Sequence, residues 1–309
     1  MLPFSISFPL NAPLHLEATL FCGQAFRWET LSRSPVPVYQ AVICDAIVQL
    51  KQHGQMLYVS STSEFINKQP LDVFIRNYLG LSDLIETVFP ISFQHQYPDI
   101  YAGASAYFGL RLLRQSPFET LISFMCAQGI GVHLIRRQVM LLSKRFGQII
   151  TFFPITDYQF PEAQVLAEAD LRILTQCTNN NSIRAKNIRA VAEAVASGAL
   201  SLVALCAPQC SLSDARETLM RYNGIGEKIA DCVCLFGLGH LNAFPIDTHV
   251  RQYLDAWFGL RSATASLTSA NYERLCDEAR KILGERHAGL AGQILFHYWR
   301  KDIRGMTEF

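Results

Sequence analysis

Residues 223–232 read NGIGEKIADC, and this stretch decides the fold. Apolar residues at helical spacing flank it, over 213–222 on one side and 227–238 on the other. Between the two helical patterns, Gly224 and Gly226 can both adopt the positive φ that a tight turn requires. The stretch predicts a helix-hairpin-helix over 213–238, although an ordinary turn between two helices, with Gly224 as a C-cap, fits the same pattern.

The hairpin also has the chemistry of a phosphate site. Because neither glycine carries a Cβ, their N–H groups can approach a phosphate oxygen next to the start of the second helix. The backbone of DNA is the usual ligand of that geometry. We therefore regard Gly224 and Gly226 as candidate DNA-binding residues.

Two ionisable side chains stand out after the hairpin. Lys228 occupies the first turn of the second helix, where the helix dipole disfavours a cation by ~0.3–1 kcal/mol and favours the neutral amine of a nucleophile. Asp247 is placed as the N-cap of a third helix, and a carboxylate held there can stabilise a cationic sugar transition state. His249, close behind it, can reach a phosphate. Taken singly, Lys228 is also explained as a solvated lysine and Asp247 as a simple cap.

The rest of the chain divides into a sheet and a set of helices. Short apolar runs between Leu14 and Ser60 predict a small antiparallel sheet with strands near 39–43, 46–50 and 56–59. Helical spacing begins over 71–89, and the predicted helices after it are 117–130, 132–146, 161–176, 183–197, 213–222, 227–238, 248–258, 269–283 and 288–302. We predict an α+β fold in which an N-terminal antiparallel sheet domain, residues 1–100, packs on a larger all-helical domain, residues 101–309.

The composition is that of a globular, water-soluble chain. Half of the 309 residues are hydrophobic and 17% are charged, which excludes intrinsic disorder and a coiled coil. The uncharged stretch 120–135 is shorter than the ~20 apolar residues that a membrane span needs. The N-terminus has no basic residue ahead of an apolar run, unlike a signal peptide. We expect a cytoplasmic monomer without a membrane partner.

Charge and cysteine content narrow the possible ligands. The net charge is +1, with the basic excess after residue 100, which permits nucleic acid binding without requiring it. The nine cysteines are odd in number and contain no paired Cys-x-x-Cys spacing. We therefore expect no disulfide framework, no metal site and no cofactor.

Two separate motifs resemble one family. The stretch 223–232, followed by AFPIDTH at 243–249, resembles the helix-hairpin-helix–Gly/Pro–Asp superfamily of DNA glycosylases, and Lys228 points to its bifunctional members. Far upstream, GQAFRW at 23–28 resembles the Gly-Gln-Ser-Phe-Arg-Trp motif of the 8-oxoguanine DNA glycosylase branch. Weaker matches at 112–117 and 288–296 extend the resemblance across most of the chain.

The resemblance implies an activity and its catalytic residues. It implies a bifunctional DNA glycosylase/lyase that flips an oxidised purine, 8-oxoguanine, out of duplex DNA and excises it in base excision repair. Lys228 would attack the deoxyribose C1′, and Asp247 would stabilise the transition state in which the base departs. His249 would contact a phosphate together with the hairpin backbone.

The resemblance also implies a base pocket. The carbonyl of Gly23 would accept the N7–H that oxidised guanine carries and normal guanine lacks, which is worth ~1–3 kcal/mol. Cys232 and Phe296 would sandwich the flipped base. The family's glutamine, which holds the Watson–Crick edge of the base, aligns with Gly292, and Gln293 lies one position further on.

Two DNA-contacting segments depart from the family pattern. A run of asparagines that reads the opposite cytosine is absent, and Gln128 is the side chain there that could restore the reading. Where the family has an aromatic wedge, Ile183 is the expected wedge here. Arg184 and Lys186 are then candidate phosphate neighbours, or solvated charges on a helix.

Related glycosylases and non-catalytic DNA-binding proteins are the alternative functions. An alkylated-base glycosylase of the same superfamily normally lacks the lysine at position 228. A non-catalytic DNA-binding helix-hairpin-helix protein would have no reason to keep Lys228, Asp247 and Gly23 together. The branches with an iron–sulfur cluster carry four closely spaced C-terminal cysteines, whereas here only Cys276 follows Cys234.

Overall fold

The N-terminal part of the molecule is a five-stranded antiparallel sheet. The structure is a computed structural model that describes residues 2–81 and 88–306. The strands are β1 (Phe4–Pro9), β2 (Glu29–Ser32), β3 (Val38–Ile43), β4 (Ala46–His53) and β5 (Met56–Ser61), and they lie side by side in the order β1-β5-β4-β3-β2. The predicted sheet is confirmed.

The central strands are apolar on both faces because both faces are covered. Residues of β3 and β4 such as Ala41 and Val48 pack against the helices of the N-terminal part. On the opposite face, Val42 and Ile47 contact a hairpin that the sequence reasoning missed. The smaller strands are β6 (Phe65–Ile66), β7 (Gln69–Pro70), and the two strands of that hairpin, β8 (Ile149–Phe152) and β9 (Ile155–Tyr158).

The rest of the described chain is helical. The helices are α1 (Leu16–Phe21), α2 (Leu71–Tyr78), α3 (Ile91–Gln96), α4 (Pro98–Ala104), α5 (Pro117–Cys126), α6 (Val132–Phe146), α7 (Ala163–Ala167), α8 (Leu171–Cys177), α9 (Ser182–Ala196), α10 (Leu202–Leu205), α11 (Leu212–Met220), α12 (Glu227–Val233), α13 (Thr248–Phe258), α14 (Arg261–Thr264), α15 (Ser269–Leu283) and α16 (Ala288–Tyr298). A 3-10 turn covers Ser105–Tyr107, and π-helical turns extend α12 over Cys234–Leu238 and α16 over Trp299–Ile303. None of the helices within residues 2–81 and 88–306 has the length and apolarity to cross a membrane.

Three predicted helices differ from the structure. The helix predicted at 117–130 ends at Cys126. The helix predicted at 161–176 is split into α7 and α8, because the side chain of Asp170 accepts the N–H of Arg172 at 2.7 Å and caps a new helix. The helical pattern over 71–89 produces α2, which ends at Tyr78, and residues 82–87 of that prediction lie outside the described residues.

A buried glutamine joins the N-terminal part to the helical part. The Nε2 of Gln24 donates to the carbonyls of Thr19 and Arg111, both at 2.8 Å, and its Oε1 accepts the N–H of Leu113 at 2.9 Å. Gln24 is 1% exposed, so these bonds satisfy an amide that burial would otherwise penalise. They fix the neighbouring Gly23 against the helical part.

The helical part has two apolar clusters. One packs α5, α9 and α12 together and contains Phe124 and Cys232. The other packs α13, α15 and α16 and contains Phe244 and Tyr253. The candidate site lies where these two clusters meet.

Candidate active site

A small cavity of about 60 Å³ lies between the two helical clusters. Its walls are Gly23, Phe124, Lys228, Cys232, Leu235, Phe236, Phe244, Pro245, Asp247, Val250, Tyr253, Gly289, Gly292, Gln293 and Phe296. The predicted nucleophile, the predicted carboxylate and the four predicted base-contacting residues therefore line one space, although up to 273 positions separate them in the chain.

A larger cleft of about 770 Å³ lies elsewhere, between the sheet and α5. Its cysteine, Cys44, remains a thiol at neutral pH because burial raises its pKa to about 11. Of its three carboxylates, Asp45, Glu119 and Glu162, Glu119 has a pKa raised by burial, which the neighbouring Arg27 partly opposes. The residues expected to carry the chemistry line the smaller cavity, so we place the site there.

Lys228 points into the cavity from the start of α12. It is the second residue of the helix and half-buried, and its Nζ lies 5.4 Å from the centre of the Phe124 ring. One turn later, Cys232 has a pKa raised to about 12 by burial, which outweighs the opposing charge of Lys228. Cys232 is therefore a neutral thiol at physiological pH, packed beside the lysine.

Asp247 faces the same cavity from the start of α13. Its Oδ1 accepts the N–H of Val250 at 2.9 Å, which makes it the N-cap of that helix, as predicted. Burial raises the pKa of Tyr253, and the negative charge of Asp247 raises it further. Burial lowers the pKa of Arg300, and the charge of Asp247 opposes that decrease. The carboxylate is thus fixed in direction by its own helix.

Gly23 brings a backbone segment to the cavity wall. Its φ is +89°, so the position favours glycine for its conformation. A Cβ there would lie 3.7 Å from Phe296 and 3.8 Å from Arg300, which is ordinary contact. The Nε2 of Gln293 donates to the carbonyl of Cys22 at 2.7 Å and so holds the preceding peptide in place. Gln293 lies in the cavity wall, but its amide nitrogen is already bonded to the protein.

The cavity wall also contains aromatic residues that the sequence reasoning did not assign to the pocket. At Gly292, where the family's glutamine aligns, a Cβ would lie 2.4 Å from Cε2 of Phe244, so this ring occupies the space of a side chain at 292. Phe124 and Phe236 stack with ring centres 5.5 Å apart. Phe244 belongs to the motif at 243–249. Its contact with Gly292, 48 positions later, could not be inferred from the sequence pattern.

Of the two hairpin glycines predicted to adopt a positive φ, only Gly224 does so. Gly224 has φ of +88° and sits against Asn187, whose Nδ2 would lie 2.8 Å from an added Cβ. Gly226 differs from the prediction, because its φ of −96° and ψ of −178° are extended backbone that any residue adopts. Its surroundings are open, with no atom within 4 Å of the point that a Cβ would occupy, so its lack of a side chain leaves the N-terminus of α12 accessible.

Arg184 supports the hairpin region from inside the protein. Its guanidinium donates to Oε1 of Gln138 at 3.2 Å and to the carbonyl of Gln128 at 2.8 Å, and the residue is buried. This corrects the expectation of a phosphate neighbour, because the charged group is turned inward and occupied. Lys186, two positions later, is exposed, and so is Ile183.

The loop after α5 is tied to the hairpin. The Nε2 of Gln128 donates to the carbonyl of Gly224 at 2.7 Å. On the other side of the hairpin, His249 is half-buried, with its ring centre 6.1 Å from that of Phe296. Among the described residues its Nδ1, which is itself buried, has no hydrogen-bond partner.

Comparison with known proteins identifies the family. The model of the 8-oxoguanine DNA glycosylase N-terminal domain matches residues 6–121, and the model of the HhH-GPD superfamily base excision DNA repair proteins matches residues 122–278. The chain belongs to the HhH-GPD superfamily. The predicted resemblance and the predicted fold are both confirmed.

Individual relatives span most of this HhH-GPD chain. The N-glycosylase/DNA lyase of Saccharomyces cerevisiae is 30% identical over 78% of this chain and 68% of its own length. The N-glycosylase/DNA lyase OGG1 of Arabidopsis thaliana is 28% identical over 94% of this chain and 79% of its own.

Solved structures share the fold over nearly the whole chain. MBOgg1 in complex with a low affinity DNA ligand has a TM-score of 0.80 at 26% identity, covering 96% of both chains. The 8-oxoguanine glycosylase/lyase of Clostridium acetobutylicum, in complex with DNA containing cytosine opposite 8-oxoG, has a TM-score of 0.79 at 23% identity, covering 94% of this chain and 93% of its own.

Proposed function

We propose that this HhH-GPD protein is a bifunctional glycosylase/lyase that excises 8-oxoguanine from duplex DNA, with Lys228 as the nucleophile. The observation that carries the proposal is that Lys228, Asp247 and Gly23 line one cavity. The relatives named N-glycosylase/DNA lyase support both activities. A non-catalytic DNA-binding module would not need an amine and a carboxylate converging on a cavity, and an alkylated-base glycosylase would not need the lysine.

The lysine accounts for both steps of the reaction. Lys228 Nζ forms a bond to C1′ while the bond from C1′ to the base breaks, and the base leaves with the electron pair and takes up a proton. The amine then loses its proton and the sugar ring opens at O4′, which leaves a Schiff base. Removal of a C2′ proton from that Schiff base expels the 3′ phosphate and cuts the strand.

Asp247 stabilises positive charge on the sugar as the base departs. Its carboxylate is held by the N–H of Val250 and faces the cavity, so little reorganisation is needed during the reaction. The cavity wall is otherwise largely apolar, which strengthens the interaction between this charge and the sugar.

The oxidised base is recognised at the wall formed by Gly23. The Gly23 carbonyl accepts the N7–H of 8-oxoguanine, while guanine would present an acceptor there and leave the carbonyl unpaired. Cys232 and Phe296, on opposite elements of the cavity, sandwich the base. Gln293 contributes by holding the peptide that precedes Gly23.

Duplex DNA binds across the hairpin. The backbone of Gly224 and Gly226, the half-buried His249 and the exposed Lys186 contact phosphates. Ile183, which is 71% exposed, enters the duplex where the base has left. Gln128 is the side chain of its loop that would read the opposite base, once its bond to the carbonyl of Gly224 is released.

We propose that the protein acts as a monomer in the cytoplasm. Lys228, Asp247 and Gly23 converge on one cavity within a single chain, which is compatible with a monomer. All nine cysteines are unpaired, which is the usual state in a reducing compartment.

Borohydride trapping on duplexes containing 8-oxoguanine tests the proposal. Reduction of the Schiff base should link the wild-type protein covalently to DNA, and Lys228→Gln should abolish the product. Lys144→Gln, a substitution of an exposed lysine on α6, is the matched control and should trap normally. Base release without any trapped product in the wild type would show that the protein is monofunctional and that the role of Lys228 is wrong.

A further inference from the structure

A buried ion pair lies directly behind the cavity. The carboxylate of Asp231, on α12, is fully buried, and its Oδ1 lies 3.1 Å from Nε of Arg216 on α11. Burial raises the pKa of Asp231 to about 6, with Arg216 and Tyr272 opposing the rise, so the group is mainly ionised at neutral pH. Asp231 lies one helical turn after Lys228 but does not line the cavity.

The same carboxylate is connected to the loop that carries Asp247. The hydroxyl of Tyr272, on α15, donates to Oδ2 of Asp231 at 2.7 Å. That hydroxyl also accepts the backbone N–H of Ile246 at 3.1 Å. Because a peptide N–H can only donate, the hydroxyl hydrogen is left to point at the carboxylate. Ile246 immediately precedes Asp247.

A second contact from α15 holds the same loop. One turn after Tyr272, the thiol of Cys276 donates to the carbonyl of Phe244 at 3.4 Å. Tyr272 is 2% exposed, so water cannot replace its bonds to the loop and to Asp231. The helix that carries the nucleophile and the loop that carries the carboxylate are thus joined through one hydroxyl.

We propose that Tyr272, held by Asp231, is a positioning residue for base excision: it fixes the loop bearing Asp247 relative to the helix bearing Lys228. The inference rests on the proposed roles of Lys228 and Asp247. Neither Tyr272 nor Asp231 touches the substrate. A displacement of the carboxylate by a fraction of an ångström weakens its interaction with the sugar, so the loss should fall on the chemical step and not on DNA binding.

Tyr272→Phe removes the hydroxyl and keeps the ring. The rate of base release from an 8-oxoguanine duplex is measured under single-turnover conditions at saturating enzyme, and affinity is measured on a duplex with an uncleavable abasic analogue. We expect the rate to fall about 10- to 100-fold with affinity changed less than threefold. Rates are normalised to the active molecules counted by borohydride trapping on a preformed abasic duplex.

Tyr78→Phe is the matched control. Tyr78 is also buried, and its hydroxyl accepts a hydrogen bond from Trp28 at 3.0 Å in the N-terminal part, away from the cavity. Its normalised rate should equal that of the wild type. If Tyr272→Phe slows base release no more than Tyr78→Phe, Tyr272 is only structural and the inference is wrong.

Asp231→Asn gives a second test should Tyr272→Phe fail to fold. The amide oxygen still accepts from Tyr272 but carries no charge, so we expect the rate to fall below that of the wild type by about 3- to 10-fold, at unchanged affinity. A wild-type rate in this variant would overturn the role of Asp231. If the wild type itself does not trap on abasic DNA, the proposed function fails instead, and the two outcomes are distinguishable.

Discussion

Asp247→Asn separates the two roles of this residue. Its Oδ1 caps α13 through the N–H of Val250 at 2.9 Å, and an asparagine oxygen can make the same bond. The helix should therefore stay capped, whereas the charge that faces the cavity is lost. The substitution tests the charge with little change in the fold.

The size of the effect follows from the charge and its surroundings. Two unit charges ~4 Å apart attract by ~4 kcal/mol at an effective dielectric of ~20. The sugar carries only part of a unit charge in the transition state, so we expect a loss of ~2.7 kcal/mol or more, which is about 100-fold in rate. DNA affinity should change by only a few-fold, because Asp247 faces the cavity that we propose holds the flipped nucleoside.

The assay is single-turnover base release at saturating enzyme, together with the thermal unfolding midpoint of each variant. Asp170→Asn is the matched control, since Asp170 caps α8 through Arg172 at 2.7 Å on the exposed surface. It should leave the rate unchanged. The reasoning is refuted if Asp247→Asn loses activity only in proportion to its folded fraction, because Asp247 would then be a cap and nothing more.

Three further outcomes are expected. Single-turnover rates of base release with C, A, G or T opposite 8-oxoguanine should differ by less than about 100-fold, or ~2.7 kcal/mol. The reason is that the loop around Gln128 offers few polar groups to a partner base. A larger preference for cytosine would contradict this. Burial lowers the pKa of His297 to about 3 from 6.5, so the unfolded state takes up the proton first as the pH falls below 6.5. Urea unfolding should show a loss of ~2.3 kcal/mol from this group between pH 6.5 and 4.5. His297→Gln should remove this loss, and the exposed His53→Gln should retain it. Gly292→Ala should destabilise the protein by ~1–3 kcal/mol in the same assay, because its Cβ would meet Phe244 at 2.4 Å, whereas Gly131→Ala, with open space, should change little.

The parts of the fold that follow from short-range patterns could be predicted. The short apolar runs of β3 to β5 and the apolar spacing of α12 depend on neighbours within a few residues, and both are confirmed. The break between α7 and α8 depends on one capping carboxylate, Asp170, inside an otherwise helical pattern, so periodicity alone did not show it.

The parts of the site that depend on long-range packing could not be predicted. Whether Arg184 faces solvent or turns inward depends on Gln138 and on the carbonyl of Gln128, both distant in the sequence. The contact between Phe244 and Gly292 joins two elements that no local pattern relates. Motif spacing identified Lys228 and Asp247 as candidates. It did not identify the buried Tyr272, whose hydroxyl bonds to Asp231 on the helix of Lys228 and to the residue before Asp247.

The bond from Gln128 to the hairpin limits how this enzyme could acquire a preference for one partner base. A side chain at position 128 that turned toward the duplex would lose the hydrogen bond to the carbonyl of Gly224. The loop after α5 would then be held at this position by the remaining bond from Arg184 to the carbonyl of residue 128. If the hairpin holds the damaged strand as proposed, the first substitution on a path to stricter pairing should weaken DNA binding. Selection or directed evolution would have to change the hairpin and the loop together. We therefore expect the preference for a partner base and the affinity for DNA to change together.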